Sequence, residues 1–454
     1  MKILRAALLF CFFAIPSVLG YSQNGTPAQI NEPHGDQPFG AFQASDIDNI
    51  GFANGSLDVK IPLFSHQGRG LAHQKFWTYT NKMWAKFSDP PCDPMITECP
   101  PPNPSVWGAV DNTLTFSQIQ QYRSSGCSDR HMHSEWTNYT YVDPFGTPHN
   151  FDAVVSSLTP VPNCIHQKLV GYSLDSSGMR IDTTTGIVTF RDGSTAQATV
   201  LLKDPNGNFI TTAASPSTDQ IDTLGRVIQH VTGTLPDGAQ YEDWIAKDSG
   251  GNSQKTRVEW AMMPVCTNFG QGDTLDSCTS LRLARKIILP NNLAYQFTYD
   301  TGTTPGHYGE LLRIDLPSGG YIRYEYALIA FGVNPIRGVT KRAVSADGTS
   351  GNEKAWTYVY QVHTPDSSHN TTLVTDPDAN QTAHVIIDTL SAVGSPAPLE
   401  TETRFYQGAS TFCSKRSEPT MTSSRLMLAM PMMRALQRGN SPGLLALRQF
   451  SITD

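Results

Sequence analysis

The chain has 454 residues, with 33 Lys and Arg against 40 Asp and Glu, a formal net charge of -7, 16% charged residues, 36 Gly and 31 Pro. That balance excludes a nucleic-acid-binding surface as a global feature, because neutralising phosphates takes a cationic stripe. The glycine and proline content disfavours a helical bundle or coiled coil, and the length suits about three average domains or one long all-β unit.

Lys2 and Arg5 precede an apolar run from Ala6 to Leu19, and Val18 and Gly20 place small side chains where a signal peptidase cuts. Residues 1–20 therefore read as a secretory signal, with the mature chain starting near Tyr21. Cys11 follows bulky Phe10 rather than a small residue, which argues against a lipid anchor. No later stretch reaches the roughly 18 to 20 apolar residues of a membrane span, so the expected location is secreted, extracytoplasmic or at the cell surface.

Residues 21–140 form an N-terminal β region. Residues 21–55, rich in Gly, Asn, Asp and Gln, read as an extended lead-in. Leu57, Val59 and Ile61 then alternate with Ser56, Asp58 and Lys60, the period of a strand with one apolar face, and Pro62 is expected to end it or to mark an edge. Residues 89–105 hold seven prolines and two cysteines, the composition of an inserted loop. Seven cysteines follow the signal, at 92, 99, 127, 164, 266, 278 and 413. In an oxidising compartment the first six can pair in many ways. The simplest local staples are Cys92 with Cys99 and Cys266 with Cys278, leaving Cys127 for Cys164. Cys127, His131, His133 and Glu135 could instead ligate zinc. The proline-rich surroundings and the lack of a close cysteine pair favour a stapled loop.

Residues 141–412 read as a β array with no amphipathic helix. Turn signals recur at Asp143-Pro144-Phe145-Gly146, Asp192-Gly193, Asp204-Pro205-Asn206-Gly207, Asp222-Thr223-Leu224-Gly225, Asp237-Gly238 and Ser318-Gly319-Gly320. Aromatic residues alternate between them: Tyr295, Phe297 and Tyr299; Ile322, Tyr324 and Tyr326; Trp356, Tyr358 and Tyr360. Packed within a sheet, these ladders are expected to keep their polar tips at water. Leu-Pro pairs begin at Leu235, Leu289 and Leu316, separated by 54 and then 27 residues, a spacing that implies a repeat. Units of this kind stack so that each buries its apolar face on its neighbours.

At these residues the chain resembles the rearrangement-hot-spot (RHS), or YD-repeat, family. The matching motifs are Asp222 to Arg226, Asp204 to Asn208, Thr298-Tyr299-Asp300 and Asp376 to Thr382, the last with Ala379 in place of the usual glycine. Gly51 to Trp84 also looks like the opening region of long secreted members, through Ala53-Asn54-Gly55, Ile61-Pro62-Leu63, Gly68-Arg69-Gly70 and Tyr79-Thr80-Asn81. The likeness runs from about residue 50 to residue 412. It implies antiparallel hairpins joined into a curved sheet, part of a hollow shell that in this family often surrounds a C-terminal effector released by self-cleavage. No match to the family's closing region, with its cleaving aspartates, is found. No catalytic, cofactor-binding or metal-binding residue is therefore carried over, and no effector domain is expected within this chain.

Residues 413–454 are discordant, with 6 Lys and Arg against 2 Asp and Glu and five of the 12 methionines, after a body (residues 21–412) of 25 basic and 38 acidic residues. This tail reads as out-of-frame or truncated coding sequence, so that the chain is an N-terminal portion of a longer protein. The competing reading is a basic amphipathic helix, which Pro431 and Pro442 weaken.

A secreted β protein with abundant carboxylates could be a glycoside hydrolase, with Asp243, Glu259 and Glu325 as candidates. Most aspartates here sit beside Gly, Pro or Asn, where a local bond to the backbone already explains them. No G-x-S-x-G elbow occurs. Gly250-Gly251 before Lys255-Thr256 falls short of a phosphate loop, because Ser249 and Gln254 stand where glycines are needed, and it reads as a polar turn. The expected function is a non-catalytic scaffold or shell segment with no cofactor, whose partner is an effector polypeptide. The alternatives are a carbohydrate-binding adhesin that uses the aromatic ladders and, third, a glycosidase. An array this short leaves strand edges open and is expected to associate.

Overall fold

The computed structural model describes residues 42–68, 70–87, 105–109, 117–121, 133–137, 139–143, 148–156, 167–175, 177–197, 200–270, 274–331, 334–361, 369–388, 398–408 and 413–417. Among them the fold is all β, apart from a three-residue 3-10 turn at Ser350–Asn352. No described helix is long and apolar enough to cross a membrane.

One sheet dominates. It contains 20 strands, from Val170–Tyr172 to Cys413–Ser417, and each is hydrogen-bonded to its neighbours in chain order. Among the described strands of this stretch only Thr274–Leu275 leaves the series, to pair in parallel with Ser105–Ala109. All the ladders of this wall are antiparallel, and six register shifts, such as those at Glu259/Trp260 and Glu325/Tyr326, interrupt them. Bulges of this kind bend and twist a strand, which curves the repetitive sheet.

The turns explain why the wall is a simple meander. Eight described hairpin loops share one geometry: a carbonyl accepts the N–H three residues on, and the same residue's N–H donates to the carbonyl four residues on. They begin at Phe190, Asp204, Asp222, Leu235, Asp248, Leu289, Leu316 and Asp376. The fourth residue always has positive φ, between 64° and 91°. This is a type I turn followed by a left-handed residue, a standard three-residue hairpin link. Where the first residue is Asp, its carboxylate also accepts the fifth residue's N–H, at 2.8 Å from Asn208, 3.0 Å from Arg226, 2.9 Å from Asn252 and 2.8 Å from Asn380. The fifth side chain closes the ring, Asn208 Nδ2 at 2.7 Å and Arg226 Nε at 2.7 Å. The Asp-x-x-Gly-Asn/Arg signature is thus one self-contained hydrogen-bonded unit.

A second, four-stranded sheet of Phe42–Ala44, Asp48–Gly51, Leu57–Gln67 and Ala72–Thr80 lies on one face of the wall. Leu57, Val59, Ile61 and Trp77 share a core with Ile228, Trp244, Ile287, Phe297, Ile314 and Tyr358 of the wall. Each fully buried side chain of that size is worth about 1.5–3 kcal/mol. The lead-in expected to be merely extended contributes two of these strands, and Ile50 and Phe52 are buried. Pro62 does not end its strand. The chain runs on to Gln67 through a bulge at Pro62/Phe64, and at that point it is paired on the Ala72–Thr80 side only, so no ladder donor is lost.

A smaller core of Phe151, Ala153, Ile181 and Val188, with Tyr139 and Tyr141 against it, lies at the wall's first strands. Cys266 and Cys278 are bonded as the local staple expected, facing each other at the ends of Ser253–Cys266 and Cys278–Ile288. Cys92, Cys99, Cys127 and Cys164 lie outside the described residues.

The turn geometry yields a paired test. Ala379 holds φ 64° where seven equivalent positions carry Gly or Asn. A left-handed L-residue costs about 1–2 kcal/mol, so Ala379→Gly should raise stability by about 1 kcal/mol. Gly225→Ala, at φ 74° with open space around a Cβ, should lower it by a similar amount. Urea denaturation of both variants checks the opposite signs.

Candidate functional site: the seam between the two sheets

The two sheets meet through buried polar anchors set among apolar side chains. At one end Asp48, buried on the N-terminal sheet, receives a forked bond from Arg342, Nε at 2.6 Å and Nη2 at 2.8 Å. Tyr324 donates its hydroxyl to the same carboxylate at 2.8 Å, and Ser45 donates as well. The Tyr358 hydroxyl bonds Gln43 Oε1 at 2.7 Å, and Thr372 Oγ1 donates to the Phe52 carbonyl at 2.6 Å. Phe52 stacks on His384 with ring centroids 4.0 Å apart.

The middle of the seam is organised around Lys82, which is 1% exposed. Its ammonium donates to the Asn54 carbonyl at 2.8 Å and to the Arg337 carbonyl at 2.5 Å, bridging the two sheets. Arg337 in turn forks onto buried Glu310, at 2.9 and 2.7 Å. Val339 N–H donates to the Gly55 carbonyl at 3.0 Å. A Cβ on Gly55 would come within 2.8 Å of the Gly338 Cα, so the backbones touch where neither residue has a side chain. At the far end Thr256 Oγ1 donates to the Leu63 carbonyl at 2.7 Å, His73 pairs with Gln220 at 2.8 Å, and Arg226 reaches the Gln67 carbonyl at 2.9 Å.

Burial pushes the Lys82 amine down to about 7, against the pull of Glu310 and Asp58. Burial likewise raises the Glu310 carboxyl, with Arg337 opposing. Perturbed groups of this kind often mark catalytic sites. Here both are enclosed, and the amine's hydrogen-bond partners are two backbone carbonyls. The arrangement clamps two layers together; it presents no exposed nucleophile.

Of the carboxylates singled out for hydrolase chemistry, Asp243 and Glu259 are neighbours and Glu325 stands apart, and each is held by a cationic partner. Asp243 takes a forked bond from Arg257 at 2.6 and 2.7 Å. Glu259, a diagonal neighbour of Asp243 on the adjacent strand, pairs with Arg285, which also holds Asp237. The Arg257 guanidinium lies 4.0 Å from the centre of the ring of Tyr241, the residue opposite Glu259. Glu325 bonds Arg323 and Lys341, and three strands separate it from the strand of Glu259. Gly250 and Gly251 lie in one of the eight shared turns, while Thr256 faces the seam.

Cys127 and His131 lie outside the described residues, as do the side chains of His133 and Glu135. Among the described residues no cluster of three His, Cys, Asp or Glu could hold a metal ion.

The aromatic ladders face the seam. Phe297, Tyr299, Tyr324 and Tyr358 are core residues, and Tyr295, Tyr326, Trp356 and Tyr360 pack against them. Several polar tips bond inside the protein rather than reaching water, as with Tyr326 on the Leu311 carbonyl and Tyr360 on the Val339 carbonyl, at 2.8 and 2.7 Å. Sequence reasoning passed over Asp48, Lys82, Glu310, Arg337 and Arg342. The one available signal was parity, since Arg342 alternates with Val344 on the apolar face of its strand.

No protein-family model matches the chain, and no curated protein matches it.

Removing one partner of a buried ion pair costs about 3–5 kcal/mol, whereas a well-packed apolar replacement of both can be neutral. Arg342→Met alone should therefore destabilise by about that amount. Pairing it with Asp48→Leu should recover most of the loss, as measured in a double-mutant cycle by chemical denaturation.

Proposed function

We propose that this chain is an exported, non-catalytic scaffold, a segment of β wall of the YD-repeat kind that encloses or presents another polypeptide. The observation that carries the reading is the 20-strand sheet in chain order, with eight of its described links built on one recurring turn and one face lined by its own N-terminal sheet. The resemblance of Asp204 to Asn208, Asp222 to Arg226 and Asp376 to Thr382 to the family's repeats supports it, as does the apolar run that reads as an export signal. The partner this implies is an effector domain or protein.

The carboxylates of the hydrolase reading serve as cross-strand ion pairs, and the ladders of the adhesin reading are turned inward. Both favour a structural role. The purified chain should therefore turn over no member of a polysaccharide panel and show no saturable binding on a glycan array. Glu259→Gln should lower the melting temperature by a few degrees. Hydrolysis that Glu259→Gln abolishes would establish the glycosidase instead, and saturable glycan binding would establish the adhesin.

A further inference from the structure

The wall's first strand, Val170–Tyr172, is joined to a hairpin of Tyr139–Val142 and Pro148–Phe151. We propose that His149 is a proton-controlled clasp, its imidazolium holding this hairpin to the wall's first turn, so that loss of one proton frees the hairpin and uncovers the edge of the wall.

His149 is 4% exposed. Its Nδ1 lies 2.5 Å from Asp175 Oδ2, on the turn after Val170–Tyr172, and its Nε2 lies 3.6 Å from Asp143 Oδ2, in the hairpin's own loop. Both ring nitrogens thus face carboxylates. A neutral imidazole has one donor and one lone pair, so only the doubly protonated ring suits both neighbours. Asp175 is held in place by the Ser177 N–H at 3.0 Å, and the Tyr141 ring stacks on the imidazole. Among the described residues Lys168 and Asp152 form a further charged pair between the same segments.

Among the described residues the rest of the attachment is a few hydrogen bonds, including Tyr172 N–H to Asp152 Oδ1 at 2.6 Å, and one small core. Backbone bonds join Asp152 N–H to the Tyr172 carbonyl, Leu174 N–H to the Asn150 carbonyl, and Val154 with Lys168 in both directions. The local core has four buried residues, against the long shared core of the rest of the wall. A buried charge here is a large part of what fastens the hairpin.

The sign follows from the same groups. Burial lowers the ring's affinity for its proton, but the Asp175 bond and the charges of Asp143 and Asp175 outweigh it and carry the pKa up to about 9. An opened hairpin returns the ring to its ordinary value near 6.5. The clasp is then fully effective below pH 6.5 and is lost as pH rises through 9. The freed backbone of Val170–Tyr172 would accept another strand, such as one from a second copy.

Proton NMR of the full chain, together with amide exchange normalised to intrinsic rates, tests this. The His149 ring should titrate near pH 9. Protection of the Asp152 and Leu174 amides should fall roughly 100-fold between pH 6 and 9.5, while Val258 and Ile287 hold, and light scattering should rise over the same range. His149→Gln should leave those two amides weakly protected at pH 6. Should that variant misfold, Asp143→Asn offers a second reading by moving the midpoint down. A ring titrating near 6.5, constant protection across the range, or an unmoved midpoint in Asp143→Asn would overturn the clasp. The result does not depend on whether the scaffold reading holds.

Discussion

A curved sheet whose strands follow one another in chain order has two faces and no second layer of its own, and everything in this fold depends on how one of those faces is kept dry. The N-terminal sheet supplies the missing layer. Leu57, Val59, Ile61 and Trp77 cover Ile228, Trp244, Ile287, Phe297 and Ile314, which would otherwise form an apolar surface open to water. Apolar contact alone is non-directional and would tolerate several placements of one layer on the other. The forked Asp48–Arg342 pair, the Lys82 bridge and the Gly55–Gly338 approach remove that freedom, because each is satisfied in a single register. The seam therefore holds by burial and is aligned by a few buried charges.

Two kinds of order coexist in the molecule. Along the wall, pairing is local: each shared turn closes within five residues, and each strand of the wall meets the next one of the wall along the chain. Across the seam, contacts are remote, separated by 159 residues for Arg226 with Gln67 and by 320 for Thr372 with Phe52. Loop closure over such distances costs entropy, growing only slowly with separation, that buried area offsets. The long shared core provides that area at the centre of the wall. At its first strands the core shrinks to Phe151, Ala153, Ile181 and Val188, and charged groups such as His149 and Asp175 take a larger share of the attachment.

The face turned away from the seam is organised differently. Asp243 with Arg257, Glu259 with Arg285, and Glu325 with Arg323 and Lys341 form ion pairs on or between neighbouring strands, and Arg257 also lies over Tyr241. Cross-strand pairs of opposite charge stabilise a sheet modestly and help to set its register. Acidic side chains that look like catalytic candidates in a linear reading thus find cationic partners a strand away.

Much of the wall was legible in the chain itself. The Asp-x-x-Gly-Asn/Arg units, the alternating aromatic runs and the Cys266–Cys278 staple are all short-range features, and their physics acts within a few residues: a carboxylate bonding nearby N–H groups, a side chain every second residue on one face, two thiols opposite each other across a hairpin. What only the tertiary structure decided was where the polar groups of the seam belong. Nothing near Asp48 announces Arg342, and nothing near Lys82 announces the carbonyl of Arg337, because each partner sits more than 250 residues away. Pro62 is the small version of the same lesson: whether a proline ends a strand depends on whether its missing donor faces a neighbour, and that neighbour is set by how the sheet is assembled rather than by the residues beside it.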